Sequence, residues 1–388
     1  MNRRCAAFIA GTLALALSSC ADAPTDRAGT DGSTIPATGG WERASAPPLS
    51  PRSDPFVTWT GEEVLVVGGT TGTICGPNAD CVEPDPGAFV ADGAAWDPAT
   101  DTWRPITPAP AAVWSGWGFG SVDAAVLDGV VVLYDRQQDV WLSYDVAADR
   151  WTVLEPPGPG FLDLSQHDGS RIWGLRRDAV VSWDPRTGEV RTERTYAETP
   201  RLDDPRLVLT DVGPVVTGVR YDDPAPDEPT LAQVDLPDGD GWRRVTTGQI
   251  GWFYAEVAGL VVGSEPGGAD GGEVNGWGRW YPQGGVLDPR TGDWRALDVP
   301  DGTGWSTDDW RPQVFGDTEV VTSGHFRDLA DSSGRWLRTG RPDTDVSGGN
   351  LAATWAGDRL AVLGGTTTRG DRYQLVAPEL WLWTPPVS

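Results

Sequence analysis

The sequence predicts an all-β fold, a seven-bladed β-propeller, and three observations carry the prediction. The first is a repeat. A run of β-branched residues ends near glycine, a second short strand ends in Asp, a tight turn follows, and then comes Trp. The markers are Trp41, Trp103, Trp151, Val190 in place of Trp, Trp242, Trp294 and Trp336. They recur about every 49 residues, the period of an array of small sheets arranged around an axis. The second is punctuation. The chain has 50 Gly and 33 Pro in 388 residues, as many short strands and tight turns require. The third lies at the two ends. The seventh unit stops after its third strand at Trp383-Thr384-Pro385-Pro386, while Trp41-Glu42-Arg43…Pro47-Pro48 matches the fourth strand Trp103-Arg104-Pro105…Pro108. The N-terminal strand is therefore expected to pair with the C-terminal blade and close the ring.

Each blade should hold strands a to d, counted outward from the axis. Strand b is expected at Glu63–Gly69, Gly129–Asp135, Arg171–Arg177, Pro214–Arg220, Gly259–Glu265, Glu319–His325 and Arg359–Gly365. Strand c is expected at Ala94–Asp97, Trp141–Asp145, Val180–Asp184, Leu231–Asp235, Gly285–Asp288, irregularly near Phe326–Ala330, and at Glu379–Trp383. The c–d turn is the sharpest local signal. It reads Asp97-Pro98-Ala99-Thr100-Asp101-Thr102-Trp103, and recurs at Asp184-Pro185-Arg186-Thr187-Gly188 and at Asp288-Pro289-Arg290-Thr291-Gly292-Asp293-Trp294. Asp accepts a backbone hydrogen bond from two residues on, Pro presets φ, and Gly permits φ > 0. The Trp that follows opens strand d and places a large ring between neighbouring blades.

These turns, with the diglycines Gly68-Gly69 and Gly364-Gly365, resemble kelch repeats, which are also found in the propeller of galactose oxidase. The resemblance covers residues 41–388. It implies the propeller fold. It does not extend to copper-radical oxidation, which needs two His ligands and a Cys–Tyr crosslink. The chain has two His, His167 at an a–b turn and His325 at the end of a strand b, and they are expected on opposite faces. No His lies near the cysteines. No metal and no cofactor is expected.

Residues 1–19 read as a signal peptide. Arg3 and Arg4 precede the apolar stretch Ala6–Leu17, which is too short to span a bilayer. Leu17-Ser18-Ser19-Cys20 resembles a bacterial lipobox. That resemblance implies cleavage, lipidation (palmitate) at Cys20, and a cell-membrane, extracytoplasmic address. Residues 20–40, rich in Ala, Thr, Gly, Asp and Pro, read as a flexible tether with an r.m.s. reach of roughly 25 Å. Cys75 and Cys81, with five residues between them in a polar loop, are expected to form a disulfide in an oxidising compartment. All 30 basic residues are Arg, against 56 acidic ones, for a formal charge of −26. Such a surface repels nucleic acid, and a nucleic-acid partner is not expected. The chain is expected to be a monomer.

Insertions concentrate on one face. In an up-and-down blade the b–c loops and d–a connections share a face, and the a–b and c–d turns share the other. The long segments are the b–c loops at about 70–92, 221–230 and 266–283 and the d–a connections at 111–118 and 301–312. Long loops on one rim of a rigid scaffold carry function. Aromatic residues outside the repeat fall there: Trp114, Trp117, Trp252, Trp277, Trp280, Tyr281, Trp305 and Trp310, with Phe253, beside Asp308 and Asp309. Trp and Tyr stack on sugar rings and anchor protein contacts. The same residues also serve to pack long loops onto a scaffold. The expected function is binding of a glycan or cell-wall polysaccharide, or of a protein partner, through this face. The alternative is a carbohydrate-active hydrolase or lyase using loop carboxylates such as Asp308, Asp309 and Asp270. No catalytic residue is assigned. No Gly-x-Ser-x-Gly elbow surrounds a serine. Asp238-Gly239-Asp240-Gly241 reads as a c–d turn and lacks the remainder of a calcium loop.

Overall fold

A computed structural model describes residues 40–72, 86–115, 122–136, 138–161, 164, 166–196, 202–219, 232–247, 254–257, 259–263, 268–269, 280–281, 285–296, 313–314, 320–323, 328–331, 336–338, 344, 351–369 and 372–384. They form an all-β, propeller-like set of antiparallel sheets. Among the described residues there are six four-stranded sheets, one three-stranded sheet and one two-stranded ribbon. The first sheet shows the plan. Its strands are Phe56–Trp59, Val64–Val67, Gly93–Asp97 and Thr102–Ile106, each paired with the next in chain order. The seventh differs in connectivity. Its outer strand is Gly40–Arg43, which pairs with the C-terminal strand in the register Gly40↔Thr384, Trp41↔Trp383, Glu42↔Leu382 and Arg43↔Trp381.

The continuous apolar runs of strand b have a simple cause. Successive side chains in a strand point to opposite faces, and here both faces are covered by neighbouring sheets. Leu65 and Val67 pack with Val131, Leu133 and Tyr144 of the second sheet. Val64 and Val66 pack with Ala361, Leu363, Leu380 and Leu382 of the seventh. The pattern repeats onward: Val132 and Trp141 meet Ile172 and Trp183, Val180 meets Val216, and Val234 meets Val261. A one-residue slip in any of these strands would exchange its two partners, so burial on both sides fixes the register.

The repeated Trp does more than fill space. Each marker lies on an outer strand, opposite an equivalent position of strand c: Trp96↔Trp103, Tyr144↔Trp151, Trp183↔Val190, Leu287↔Trp294 and Ala330↔Trp336. At Trp103, Trp151 and Trp242 the indole N–H reaches the preceding sheet. Trp103 Nε1 donates to Ser45 O at 2.8 Å, Trp151 Nε1 to Thr107 O at 2.7 Å, and Trp242 Nε1 to Thr195 O at 2.9 Å. The turn Asp completes the clasp. Asp101, at φ 51°, accepts from Ser45 N and Trp96 Nε1, both at 2.9 Å. Asp149, at φ 47°, accepts from Thr107 N at 2.9 Å and Tyr144 Oη at 2.7 Å. The Ser45 amide and the Trp96 indole hold the Asp101 carboxyl below its ordinary range. The Asp at the head of each turn also behaves as the sequence reading requires, with Asp97, Asp184 and Asp288 accepting from the amides of Ala99, Arg186 and Arg290 at 2.8, 3.0 and 2.9 Å. Trp103→Phe keeps the ring and loses the donor, so it is expected to lower stability by about 1 kcal/mol, read as a shift of the urea midpoint. An unchanged midpoint would show that the clasp contributes nothing.

Two elements depart from expectation. The third sheet was expected to have four strands, but among the described residues it has three: Ile172–Leu175, Ala179–Asp184 and Glu189–Thr195. Its innermost position holds an isolated bridge, His167↔Ile172. The preceding Pro156-Pro157-Gly158-Pro159-Gly160 and the polar Gln166 suit a strand poorly. Gln166 substitutes for the ladder, its carbonyl accepting from Trp173 N and its Oε1 from Leu209 N, both at 2.7 Å. In the seventh sheet, strands b and c were expected to end at Gly365 and begin at Glu379. They run instead as Arg359–Arg369 and Arg372–Thr384, so the b–c connection is a long ribbon, with a register shift between Gly364 and Thr366. The run Thr366-Thr367-Thr368 before Gly370-Asp371 carries the strand and turn preferences of such a hairpin.

Candidate functional site

The described part of the loop face is built from d–a connectors crossing the ends of strands b. Glycine makes the crossings possible. At the first sheet Gly68 has φ 70° and Gly69 φ 99°. A Cβ on Gly68 would lie 1.9 Å from the carbonyl oxygen of Val113, and one on Gly69 would lie 2.7 Å from that of Ser53. Hydrogen bonds join the same partners: Gly69 N to Val113 O at 2.7 Å, Thr70 N to Ser53 O at 2.9 Å, and Ser53 N to Thr70 O at 3.0 Å. In the seventh sheet a Cβ on Gly365 would lie 2.2 Å from Arg52 O. The diglycines are thus where two connectors, one on either side of a blade, press backbone to backbone.

Arg52 locks this floor. Its side chain is fully buried. It donates from Nη1 to Gly68 O at 3.0 Å and Asp92 Oδ1 at 2.9 Å, from Nη2 to Asp92 Oδ2 at 3.0 Å and Ser50 Oγ at 2.9 Å, and from Nε to Ser50 O at 3.1 Å. The Asp92 side chain is half exposed, so its carboxylate joins the buried guanidinium to the surface.

Asp54 is the second such group, and it is partly buried. It sits at φ 51°, two residues before the innermost strand of the first sheet. Its carbonyl holds the next connector, accepting from both Ser115 N and Ser115 Oγ at 3.1 Å. Burial pushes its carboxyl above the ordinary range, opposed by the neighbouring Ser53 and Trp114 side chains. Trp114 itself is buried, its ring 4.9 Å from that of Phe89. Among the candidate binding aromatics it takes the other reading given above, packing a connector onto the scaffold, because Val113 on one side and Ser115 on the other pin the backbone to the floor.

Of the other expected binding residues, Trp280 and Tyr281 have a described backbone. They form a short strand with the register Ala269↔Trp280 and Gly268↔Tyr281, so the fifth b–c loop doubles back on itself as a ribbon. Trp117, Trp252, Trp277, Trp305, Trp310, Asp308 and Asp309 lie outside the described residues, as do Cys20, Cys75 and Cys81. Sequence reasoning passed over Arg52, Asp54 and Asp92. The signal was Arg52-Ser53-Asp54-Pro55, two charges set directly before an innermost strand in a connector of otherwise small and apolar residues.

His167 lies near the opposite edge of the third sheet. Burial lowers its pKa and so favours the neutral imidazole, while Asp168 beside it pulls the other way. Among the described residues no group of three or more His, Cys, Asp or Glu could hold a metal ion, and no helix is long and apolar enough to cross a membrane.

The Asp54 carboxyl has a measurable consequence. Its folded pKa is raised, so the stability it contributes is full below the unfolded value of 3.8 and is lost as pH rises through the folded value. Asp54→Asn removes the ionisation, and Asn tolerates positive φ. The variant is expected to match the parent near pH 3 and to exceed it in urea midpoint at pH 7. A variant less stable at pH 7 would mean that the ionised carboxylate is itself held by favourable contacts.

No family model and no curated protein matches the chain. Among solved structures, that of YCF48 bound to D1 peptide is similar to it over 89% of this chain and 97% of that chain, at 13% identity and a TM-score of 0.46.

Proposed function

We propose that the chain is a lipid-anchored, extracytoplasmic binding scaffold, a closed seven-bladed propeller of kelch type that engages a macromolecule through its b–c/d–a face without chemical turnover. One observation carries the reading: the b–c and d–a connections, which hold the long insertions of the sequence, begin at the edge where Gly68, Gly69, Gly365 and Arg52 fix the described connectors. A rigid floor under long loops is suited to recognition. Closure of the ring is supported by the pairing of Gly40–Arg43 with the C-terminal strand and by the apolar cluster shared by the first and seventh sheets.

A polypeptide partner is the leading ligand class. Trp114 is used inside the floor, and the ribbon of Thr366–Arg369 with Arg372–Leu375 is the longer of the two described on this face. A second reading is a cell-wall glycan, favoured by the density of Trp and Tyr in the loops, Trp277, Trp280, Tyr281, Trp305 and Trp310 among them.

The test uses the chain from Gly40 onward. It is offered as crosslinking bait to surface and secreted proteins, and is titrated with a polysaccharide panel. Trp fluorescence and released reducing ends are read in the same wells. Specific capture of one protein, lost when the ribbon is replaced by a tight turn, is the expected result. Saturable binding of a polysaccharide without release would favour the glycan. Release of reducing ends would overturn the non-enzymatic reading and direct attention to Asp270, Asp308 and Asp309.

A further inference from the structure

The peptide bond between Asp54 and Pro55 is held in a reactive setting. Asp54 is at φ 51°, a left-handed conformation that an L residue adopts at a cost. The other described non-glycine residues with positive φ are Asp101, Asp128, Asp139 and Asp149, and none of them precedes proline. The Asp54 carbonyl oxygen accepts from Ser115 N and Ser115 Oγ, both at 3.1 Å, so an amide and a hydroxyl of a second connector converge on one carbonyl. Two donors on a carbonyl oxygen stabilise the negative charge that a tetrahedral intermediate places there. The hydroxyl also lies 2.9 Å from Pro55 O, and its single proton turns wholly to Asp54 O as charge gathers on it. The Asp54 carboxyl is joined to the same carbonyl carbon through Cβ and Cα, so its attack closes a five-membered ring without loss of translational freedom. Proline supplies the leaving atom, a tertiary amide nitrogen without N–H. That nitrogen is covered by bare backbone, since a Cβ on Gly69 would lie 3.2 Å from Pro55 N.

We propose that Asp54–Pro55 is a site of intramolecular self-cleavage, with the Asp54 carboxyl as nucleophile and Ser115 as the donor to the oxyanion. A carboxyl oxygen bonds to the Asp54 carbonyl carbon, the bond from that carbon to Pro55 N breaks, and the carboxyl proton passes to Pro55 N. The product is a cyclic anhydride on Asp54, which one water opens to two carboxyls; no oxidant, reductant or cofactor takes part. Burial holds the Asp54 carboxyl above its ordinary range, which favours the protonated form that the departing nitrogen needs. Asp54 itself is only partly buried, so water reaches the anhydride. The Asp–Pro bonds of the c–d turns are set differently. The carbonyls of Asp184 and Asp288 accept turn amides from Gly188 at 2.8 Å and Gly292 at 2.7 Å, but their carboxylates are turned to the amides of Arg186 and Arg290. Cleavage at Asp54 leaves Gly40–Arg43 on a separate piece, paired with Trp381–Thr384, fastened by the Arg43–Glu379 ion pair at 2.7 Å and by Arg52 on Gly68 and Asp92. The outer strand of the seventh sheet is then held by non-covalent contacts alone and becomes exchangeable. The inference does not depend on the ligand proposed above.

The experiment incubates the purified full chain at mildly acid pH, folded and, in parallel, unfolded in urea, and follows both by intact mass and N-terminal sequencing. The expected result for the folded chain is a new N-terminus at Pro55, formed at a rate independent of protein concentration, with Asp97–Pro98, Asp184–Pro185 and Asp288–Pro289 intact. In urea the rate at Asp54–Pro55 is expected to fall at least ten-fold, to that of the turn bonds. Ser115→Ala, which keeps the amide and loses the hydroxyl, is expected to slow cleavage of the folded chain at least ten-fold. Asp54→Gly, which accepts positive φ and lacks the carboxyl, is expected to abolish it. The proposal is overturned by the absence of a Pro55 terminus, by a rate proportional to protein concentration, by cleavage no faster in the folded chain than in urea, or by an unchanged rate in folded Ser115→Ala. If either variant fails to fold, the comparison of the folded and unfolded parent chain decides the matter without it.

Discussion

Gly68→Ala is expected to cost about 3–5 kcal/mol, enough to remove much of the stability of an ordinary domain. Two penalties add. The residue is at φ 70°, where a Cβ alone costs roughly 1 kcal/mol. The new methyl would also meet Val113 O at 1.9 Å and Val113 C at 2.7 Å, which are backbone atoms that no rotamer change can move. Relief requires the connector to lift. Lifting it stretches the bond from Gly69 N to Val113 O and withdraws Val113 and the adjoining Trp114 from their buried sites. Gly61 supplies the control. It has φ 100° and nothing within 4 Å of the point where a Cβ would stand, so Gly61→Ala carries the conformational penalty alone. The urea midpoints of the two variants, with near-ultraviolet circular dichroism to report the Trp environment, decide the matter. Equal midpoints would show that the backbone crossing is not tight.

Arg52→Met is expected to destabilise by about 2–4 kcal/mol. The substitution keeps apolar volume but strands the carbonyls of Gly68 and Ser50 beneath the connector. The Asp92 carboxylate, half exposed, recovers part of its loss from water, which places the figure below that for a pair buried on both sides. Arg52→Lys is expected to recover little, because a single ammonium cannot meet both oxygens of Asp92 and two carbonyls in a plane. The damage should also be local before it is global. Arg52 O touches Gly365 of the seventh sheet, while its guanidinium holds the first. Hydrogen exchange is therefore expected to accelerate first at Gly40–Arg43 and its partner strand. Uniform acceleration across all sheets would instead assign Arg52 a role in the scaffold as a whole.

Much of the candidate face could be located from the sequence, and much less of its chemistry. The insertions stood out because a repeat makes every extra residue visible against its own period. The role of Trp114 did not, since an indole in a connector reads alike whether it turns outward or into Phe89. Arg52, Asp54 and Asp92 carry no motif. They become a site through the crossing of connectors that are 40 residues apart in the chain for Arg52 and Asp92. The ribbon was hidden because Thr-Thr-Thr-Arg-Gly-Asp-Arg is as polar as a loop, and only pairing with Arg372–Leu375 makes it a strand.

By itself the sequence determined the repeating sheet, its Asp–Trp turn and the strand that joins the two chain ends. The first two are enforced within a few residues by backbone preference and by two-sided burial, and the third shows because the repeat leaves the seventh unit one strand short while the N-terminal segment matches that strand. Tertiary structure decided which glycines must remain glycines, which carboxyl is partly desolvated, and which aromatic faces inward. Those outcomes depend on distances between segments far apart in the chain, and local pattern carries no information about them.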